Sequence, residues 1–474
     1  MKKALIMITV SLFPRLLAAQ ELNVDSLIGE NWYGLYIQGH KSGYSVNSVA
    51  KDAQGVVTVT EDAHIRVSMV SAKQDMRIYS KRTYAPDGAL VSIESAVDDP
   101  SGKSKFFARM DGDALVLETT LGGETKSERR AKPKETLRDA LKQADLTGRG
   151  GKVGNSLSYS WFEPVYKMEL SAKSSIIAEE ERVLEGVSTK VFKIKTVIEQ
   201  LGVETSSFVA QDGTTLEDVI GGNITMRLEP KDLAKDVNYS NDVIVSNAAK
   251  VLTPIANPRD RTTLHLLLHG PLTSEHVYND DRQSLTPAGD GFDFKASRVS
   301  LKGITVAHIP VTAPEAVEWT KPTTFVQSDS PKLVSKAREI VGAETDAVKV
   351  SDRLCAWVYQ NVHTEYSARL SNALEVLENP KGDCTEHSIL FIGLARAVGL
   401  PAREVAGMIY VDGPDAGFYF HQWATVWVGK WIDVDPTFNQ PLADVTHIKL
   451  GEGDLFKQAK LIPLIGQIKV EVAK

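Results

Sequence analysis

Between residues 30 and 235 the chain is written almost entirely in period two. WYGLYIQGHKSGYSVNSVA, HIRVSMV, MRIYSKRTY, ALVLETT, KVFKIKTVI and NITMRLEP alternate or are rich in β-branched and aromatic residues, with Gly, Asp and Asn between them. Successive side chains of a strand point to opposite faces, so each run can bury only one face, and many such runs in series imply an antiparallel sheet. Turn markers recur at Pro86–Gly88, Asp111–Asp113 and Gln211–Gly213. The stretches YAPDGALVSIE and VAQDGTTLEDV look alike, which fits a duplicated meander or the repeated use of one turn chemistry. One helix is expected inside this region, in KETLRDALKQA, where Leu137 and Leu141 stand four apart. The basic run SERRAKPK, from Ser127, reads as a solvated loop.

At 474 residues the chain is too long for one core, and about 150 residues per domain suggests three units. After the β region of residues 28–235 comes a second β-rich block, 240–315, with strand candidates TTLHLLLHG, GFDFKAS and ITVAHIPV. This block is expected to be a small β domain or an extension of the first sheet. Residues 316–474 change character. SPKLVSKAREIVG, DAVKVSDRLCAWVYQNV and TEHSILFIGLARAVG read as helices, and AREVAGMIYV, FYFHQWATVWV and WIDVDPT then read as strands. The expected architecture is multidomain, a large N-terminal antiparallel β region followed by an α+β domain.

Residues 1–19 read as an export signal. Lys2 and Lys3 precede an apolar stretch, Ala4 to Phe13, and Leu17-Ala18-Ala19 offers small residues for cleavage. No later segment approaches 18 consecutive apolar residues, so no membrane-spanning segment is expected in the mature chain, which is placed in the periplasm or outside the cell. With 54 basic and 61 acidic residues the net charge is -7, which argues against nucleic acid as the main partner. Only Cys355 and Cys384 are present, too few for a disulfide-built scaffold.

Cys384 follows Gly382-Asp383 and opens a predicted helix. A helix N-terminus offers free N–H groups and partial positive charge, which favour the nucleophilic thiolate. A thiol nucleophile also needs a base and a group to orient that base. His421 stands in a predicted strand 37 residues later, and Asp435 in the next strand a further 14 on. Side chains alternate along strands, so the two share a face only if an odd number of residues joins the strands. A three-residue loop or a bulge is therefore expected at the Gly429-Lys430 turn.

GDCTEHSILFIGLARAVGLPAREVAG, followed by HQWATVW and KWIDVDPT, resembles the transglutaminase-like superfamily, relatives of papain-type thiol enzymes. The resemblance covers about residues 325–440. It implies that Cys384 is the nucleophile, His421 the base and acid, and Asp435 the orienting carboxylate. It implies no cofactor and no metal. Many members carry Glu four residues after the triad His, where this chain has Thr425, and the side chain of the oxyanion site is not assigned within HTEYSARLSN.

Each residue also has a plainer role open to it. Cys355 reads as core packing beside Leu354 and Trp357; a Cys355–Cys384 disulfide would disable the nucleophile. His387 reads as local support, and Asp433 is an alternative orienter nearer the turn. Trp423, Trp427 and Trp431 read as core or pocket walls. The expected function is acyl transfer from an amide through a Cys384 thioester, with hydrolysis favoured over crosslinking and a protein, peptide or other amide as substrate. The alternative is a catalytically inactive binding or assembly protein that works through its β region. Neither the substrate's identity nor the oligomeric state is legible.

Overall fold

The structure, a computed structural model, describes residues 22–473 apart from 70–71, 100–101, 122–123, 149, 185–186, 201–202, 238–246, 252, 324, 366–370 and 454–458. The stretch read as an export signal lies outside the described residues. Among the described residues no helix is long and apolar enough to cross a membrane.

The period-two region forms one antiparallel sheet of fourteen strands, from Gly29–Ile37 to Ile224–Leu228. The first eight strands are neighbours in chain order, as are the last six, and the two series join where Gly29–Ile37 pairs with Ile224–Leu228. The sheet curls until its ends meet: Arg130 donates to the Lys167 carbonyl at 2.8 Å, and Phe162 of Ser156–Glu163, the strand at the opposite edge, enters a core with Leu115, Leu117 and Ile93. The two look-alike stretches are hairpins of the same build. Tyr84 pairs with Leu90 and Val209 with Thr215, each after a register shift, and each turn has its Gly at positive φ, Gly88 at 84° and Gly213 at 93°. Ser127 to Ala131, expected as loop, belongs to the edge strand Glu124–Ala131; charged side chains on an edge discourage pairing with another chain. The expected helix breaks in two, Leu137–Ala140 and Lys142–Gly148, the first started by a capping box of Thr136 and Asp139.

The middle strands do not continue this sheet. Thr263–His269, Gln283–Ala288 and Gly291–Ser297 form a separate four-stranded sheet with Lys469–Val472 from the far end of the chain. ITVAHIPV is no strand of either sheet. It runs as a strap whose main-chain groups bond in turn to Val428, Thr345 and Gly399, so it never acquires one partner strand.

Residues 331–452 hold the helices Pro331–Val341, Ala347–Asn361, Ala373–Glu378 and Cys384–Ala397, then the strands Ala402–Val411, Gly417–Trp427, Trp431–Val434 and His447–Glu452. The strands form one antiparallel sheet with Ala249–Lys250 at its edge. Both faces are covered. Ala424, Val426, Ile432 and Val434 pack on the helices, while Met408, Tyr410, Phe418 and Ile448 pack on Leu266, Leu268 and Phe294 of the middle sheet. That double burial explains why these strands read as near-continuous apolar runs rather than alternating ones.

The Cys384–Ala397 helix is buried along most of its length, from Glu386 to Arg396. It contributes Ile389, Leu390, Phe391, Ile392 and Leu394 to the core, each worth about 1.5–3 kcal/mol of apolar burial. Its start is set by Asp383, whose carboxylate accepts the Thr385 N–H at 2.9 Å, and by Glu386, which accepts the Asp383 N–H at 3.0 Å. Gly382 is required just before, at φ 154°, because a Cβ there would lie 2.2 Å from the Glu386 side chain.

Burial and the neighbouring Asp383 push the Glu386 carboxyl up to about 8. An unfolded Glu titrates near 4.3, so between these values the folded chain holds a proton the unfolded chain does not. The stability tied to that proton is full below about 4.3 and is lost as pH rises through about 8. Glu386→Gln mimics the protonated form, so its thermal midpoint relative to wild type should rise between pH 5 and pH 8.5 by several degrees, at about 2–4 °C per kcal/mol. A difference in midpoint that stays constant across that range would refute this account of Glu386.

Candidate active site

Cys384 is half-buried at the first turn of its helix, and both cysteines are free thiols. Two ties bring the helix start to the His421 strand. The Cys384 sulfur faces the backbone N–H of Gln422, and the Ser388 hydroxyl lies 2.7 Å from the Cys384 carbonyl and 3.1 Å from that of Gln422. The anchor residue is therefore the neighbour of His421 in the sequence.

The hairpin carrying His421 and Asp435 has the odd loop that the pairing needs. Trp427 pairs with Trp431, leaving Val428, Gly429 and Lys430 between them. Thr425 then lies opposite Asp433, and the same register brings Asp435 to the level of Trp423, diagonal to His421 on one face. His421 Nε2 and Asp435 Oδ2 are 2.8 Å apart. The bond occupies Nε2 and leaves Nδ1 as the nitrogen that can exchange a proton with a thiol. The His421 ring is also flanked by Trp423 at 6.0 Å and by Phe438 at 5.4 Å between centroids. Trp423 is core, whereas Phe438 is 41% exposed at the rim of the site.

Asp435 has no exposed surface and uses both carboxylate oxygens. Oδ1 accepts the N–H groups of Thr437 at 2.8 Å and Phe438 at 3.3 Å, while Oδ2 accepts from His421 and from His447, the latter at 3.0 Å. Burial alone would raise its pKa; the two imidazole rings outweigh burial and hold it well below the usual carboxylate range. Asp433, the alternative orienter, is spent elsewhere. It meets Arg282 at 3.2 Å and Lys449 at 2.9 Å, which against its burial hold it down to about 2. Lys449 also meets Asp280 and Glu452, so a buried ion cluster joins the middle sheet to this hairpin.

The remaining candidates fall into supporting places. His387 Nδ1 lies 2.7 Å from the Asp383 carbonyl and ties the helix start to itself. Thr425 Oγ1 donates to the Ile432 carbonyl at 3.0 Å across the hairpin. Cys355 is buried with its sulfur 3.7 Å from the Asp435 carbonyl, so it packs behind the site. Trp427 and Trp431 meet edge-on, with the Arg403 guanidinium 4.1 Å from the Trp431 ring. Of HTEYSARLSN, residues 366–370 lie outside the described residues; His363 and Thr364 pair with Lys381 and Gly382 beside the Cys384 helix.

One expectation is reversed. Burial, then Asp383, Glu386 and Asp435, raise the Cys384 thiol well above its ordinary value, against a lowering by the Gln422 N–H. The helix start alone pointed to a lowered value. One participant was missed altogether: His447 has no motif around it, and its partnership with Asp435 arises only when its strand pairs with Ala402–Val411. His421, Asp435 and His447 place ligand atoms within 4.8 Å of one another and form a set able to hold a metal ion. Both rings now direct Nε2 at one carboxylate oxygen, so an ion would displace two hydrogen bonds and occupy His421.

Comparison with known proteins finds a family match for part of the chain. Residues 334–436 match the family described as the transglutaminase-like superfamily. An uncharacterized protein of Mycobacterium leprae is 24% identical over 242 residues, 45% of this chain and 84% of that protein. A solved structure described as a candidate cysteine protease, from Cytophaga hutchinsonii, aligns over 44% of this chain and 82% of its own at 16% identity, with a TM-score of 0.31. A β-barrel-like protein of unknown function from Brucella abortus aligns over 42% of this chain and 94% of its own at 10% identity, with a TM-score of 0.34. Such scores mark loose likenesses, and the family rests on the matched residues. By that match, residues 334–436 of this chain belong to the transglutaminase-like superfamily.

Proposed function

We propose that this chain is an exported thiol enzyme that cleaves amides by acyl transfer to Cys384. The observation that carries the reading is the buried 2.8 Å pair of His421 and Asp435, set on the strand whose next residue faces the Cys384 sulfur. With the thiol raised, the resting form is S–H, and His421 acts as general base during attack. His421 removes the proton as the sulfur bonds to the carbonyl carbon. It then delivers that proton to the departing amine as the C–N bond breaks, leaving a thioester. Water, deprotonated by the same ring, cleaves the thioester to a carboxylic acid and regenerates the thiol. Asp435 keeps the ring in the tautomer that can do this and balances the imidazolium that forms. Crosslinking would use an amine in place of water. Hydrolysis is favoured because the rim beside His421 is open at Phe438, and transfer requires that water be kept out.

A peptide-library digestion with a labelled amine present tests both the reaction and its outcome. Wild type should cleave, Cys384→Ala should fall to background, and labelled amine should appear in a minority of products. Asp435→Asn, which presents the wrong tautomer to the ring, should lower kcat on the order of 10³-fold. Identical digestion by wild type and Cys384→Ala would sink the reading and leave the binding or assembly role of the β region as its successor. Amine-linked products in excess of hydrolysed ones would make the enzyme a crosslinker.

Phe438 stands where the substrate would flank the imidazole. Phe438→Ala should raise KM for apolar peptides by about three- to tenfold through lost contact, with kcat within about twofold. A fall in kcat at constant KM would assign Phe438 to the support of His421 instead.

A further inference from the structure

The fourteen-stranded sheet closes round an inner face that the thiol chemistry does not use. Apolar layers stand at both ends of that face. At one end the helices Leu137–Ala140 and Lys142–Gly148 cross the turns, where the Leu137 N–H donates to the Gly88 carbonyl at 2.9 Å. Leu137 and Leu141 pack there with Tyr84 and Ile93, and Leu146 packs with Ile194. At the other end Ile65, Val67 and Met76 cluster with Ile37. Between the two layers the same face turns polar. Val57 and Val59 point into the first core, so alternation carries Glu61 and Ala63 onto that face. Register then sets Asn31, Asn47, Glu61, Ser80 and Ser95 side by side across the first five strands. A filled barrel would bury this belt. Instead Glu61 is exposed, and so is Ile78, which stands opposite Ala63 and is 43% exposed. The belt surrounds a lumen that water can enter.

The lumen is short of positive charge. Glu61 acts on the Tyr33 hydroxyl, on Asp218 and on Glu163, which stand on three other strands, so the three carboxyls face one space. Asp218 takes a hydroxyl from Ser207 directly across from it. The cation that bears on it is Lys142, which lies 5.2 Å over the Tyr159 ring. Arg82 is spent on Glu135 at 3.0 Å. Burial raises Asp218 and Glu163 above the ordinary carboxyl range, as it does for acids that lack a close counter-charge. Two further acceptors point the same way. Thr119 is 4% exposed and Gln74 7% exposed, and alternation from Leu117 and from Met76 puts both on the inner face. Thr119 Oγ1 and Gln74 Oε1 have no hydrogen-bond partner among the described residues. A buried polar atom in that state is costly until a donor meets it.

We propose that the lumen of the β domain is a binding site for an alkylammonium ion, a primary amine carried on an apolar body. An ammonium group brings one positive charge and three N–H donors with no acceptor, which answers carboxyls and acceptors together. The apolar body suits Ile78 and the layers at either end. Among the described residues Glu61, Asp218 and Glu163 do not draw close enough together to hold a metal ion, so their charge is spread round a space and not aimed at a point. Neither Cys384 nor His421 takes part, so the site is tested apart from the thiol chemistry.

The probe is n-octylammonium, titrated by calorimetry at neutral pH into the full chain carrying Cys384→Ala, so that no turnover intrudes. It should bind at one site. Octan-1-ol and octanoate, which share the apolar body without the positive charge, should bind at least about tenfold more weakly. Glu61→Gln and Asp218→Asn keep the shape and remove one charge each; either should weaken octylammonium by about tenfold and leave octanol as it was. Ile78→Trp, which fills the lumen from an exposed position, should abolish binding. Thermal midpoints are read alongside, and Glu61 and Ile78, being exposed, are positions where a substitution leaves the fold intact. Octanol bound as tightly as octylammonium would overturn the proposal, as would no binding at all. So would an octylammonium affinity that Glu61→Gln, Asp218→Asn and Ile78→Trp leave unmoved.

Discussion

The structure of the C-terminal half depends on one buried carboxylate. Asp435 has no exposed atom, and an ion in that position persists only if its lone pairs are met. Four donors meet them: two backbone N–H groups from the turn that follows, and two imidazole rings from two different strands. None of the four is optional in the ordinary sense, because losing one leaves a charge short of a partner in a place water does not reach. The Asp435 hairpin, the His421 strand and the His447 strand must therefore meet in one register. The position of Nδ1 on His421 follows from that requirement.

The middle sheet takes part in the same constraint from a distance in sequence. Arg282 reaches Asp433, 151 residues away, and also grips the His447 carbonyl. The 304–311 strap bonds to Val428 in the hairpin loop, and Gly429 is kept bare because a Cβ would meet the Thr305 carbonyl at 2.1 Å. Lys469–Val472 closes the middle sheet from beyond the family region. The matched residues 334–436 thus form the part of the fold with a known pattern, while the contacts that hold the hairpin in place come from both sides of it.

What was legible in the sequence follows from which physics is local. Period-two alternation is local, and it announced the large sheet, although it could not say that Gly29–Ile37 would join Ile224–Leu228. Parity is local too, so the three-residue loop at Val428–Lys430 could be demanded from the positions of His421 and Asp435. The strap at 304–311 has strand composition but no single partner, and composition does not show partners. Ser127–Ala131 looked like loop because its charges were read without knowing that it is an edge. His447 was invisible for the same reason as the strap: its role exists only across a strand pairing, and a lone His in THIKLGE carries no sign of it.

The thiol is the place where a local rule pointed the wrong way, and magnitudes explain it. A helix N-terminus stabilises a nearby anion by about 0.3–1 kcal/mol, and by about 2 at most, which is at most about 1.5 pKa units. Full burial can shift a group by up to about 3–5 units; Cys384 is half-buried, and Asp383 and Glu386, the residues that cap the helix, add to that burial instead of opposing it. The capping that starts the helix in the right place therefore surrounds the sulfur with carboxyl groups. A thiol held in that setting loses its proton as it attacks, to a base already aimed. The precision demanded of His421 is the counterpart of that raised thiol, and a carboxylate gripped from four directions is a physical means of supplying it.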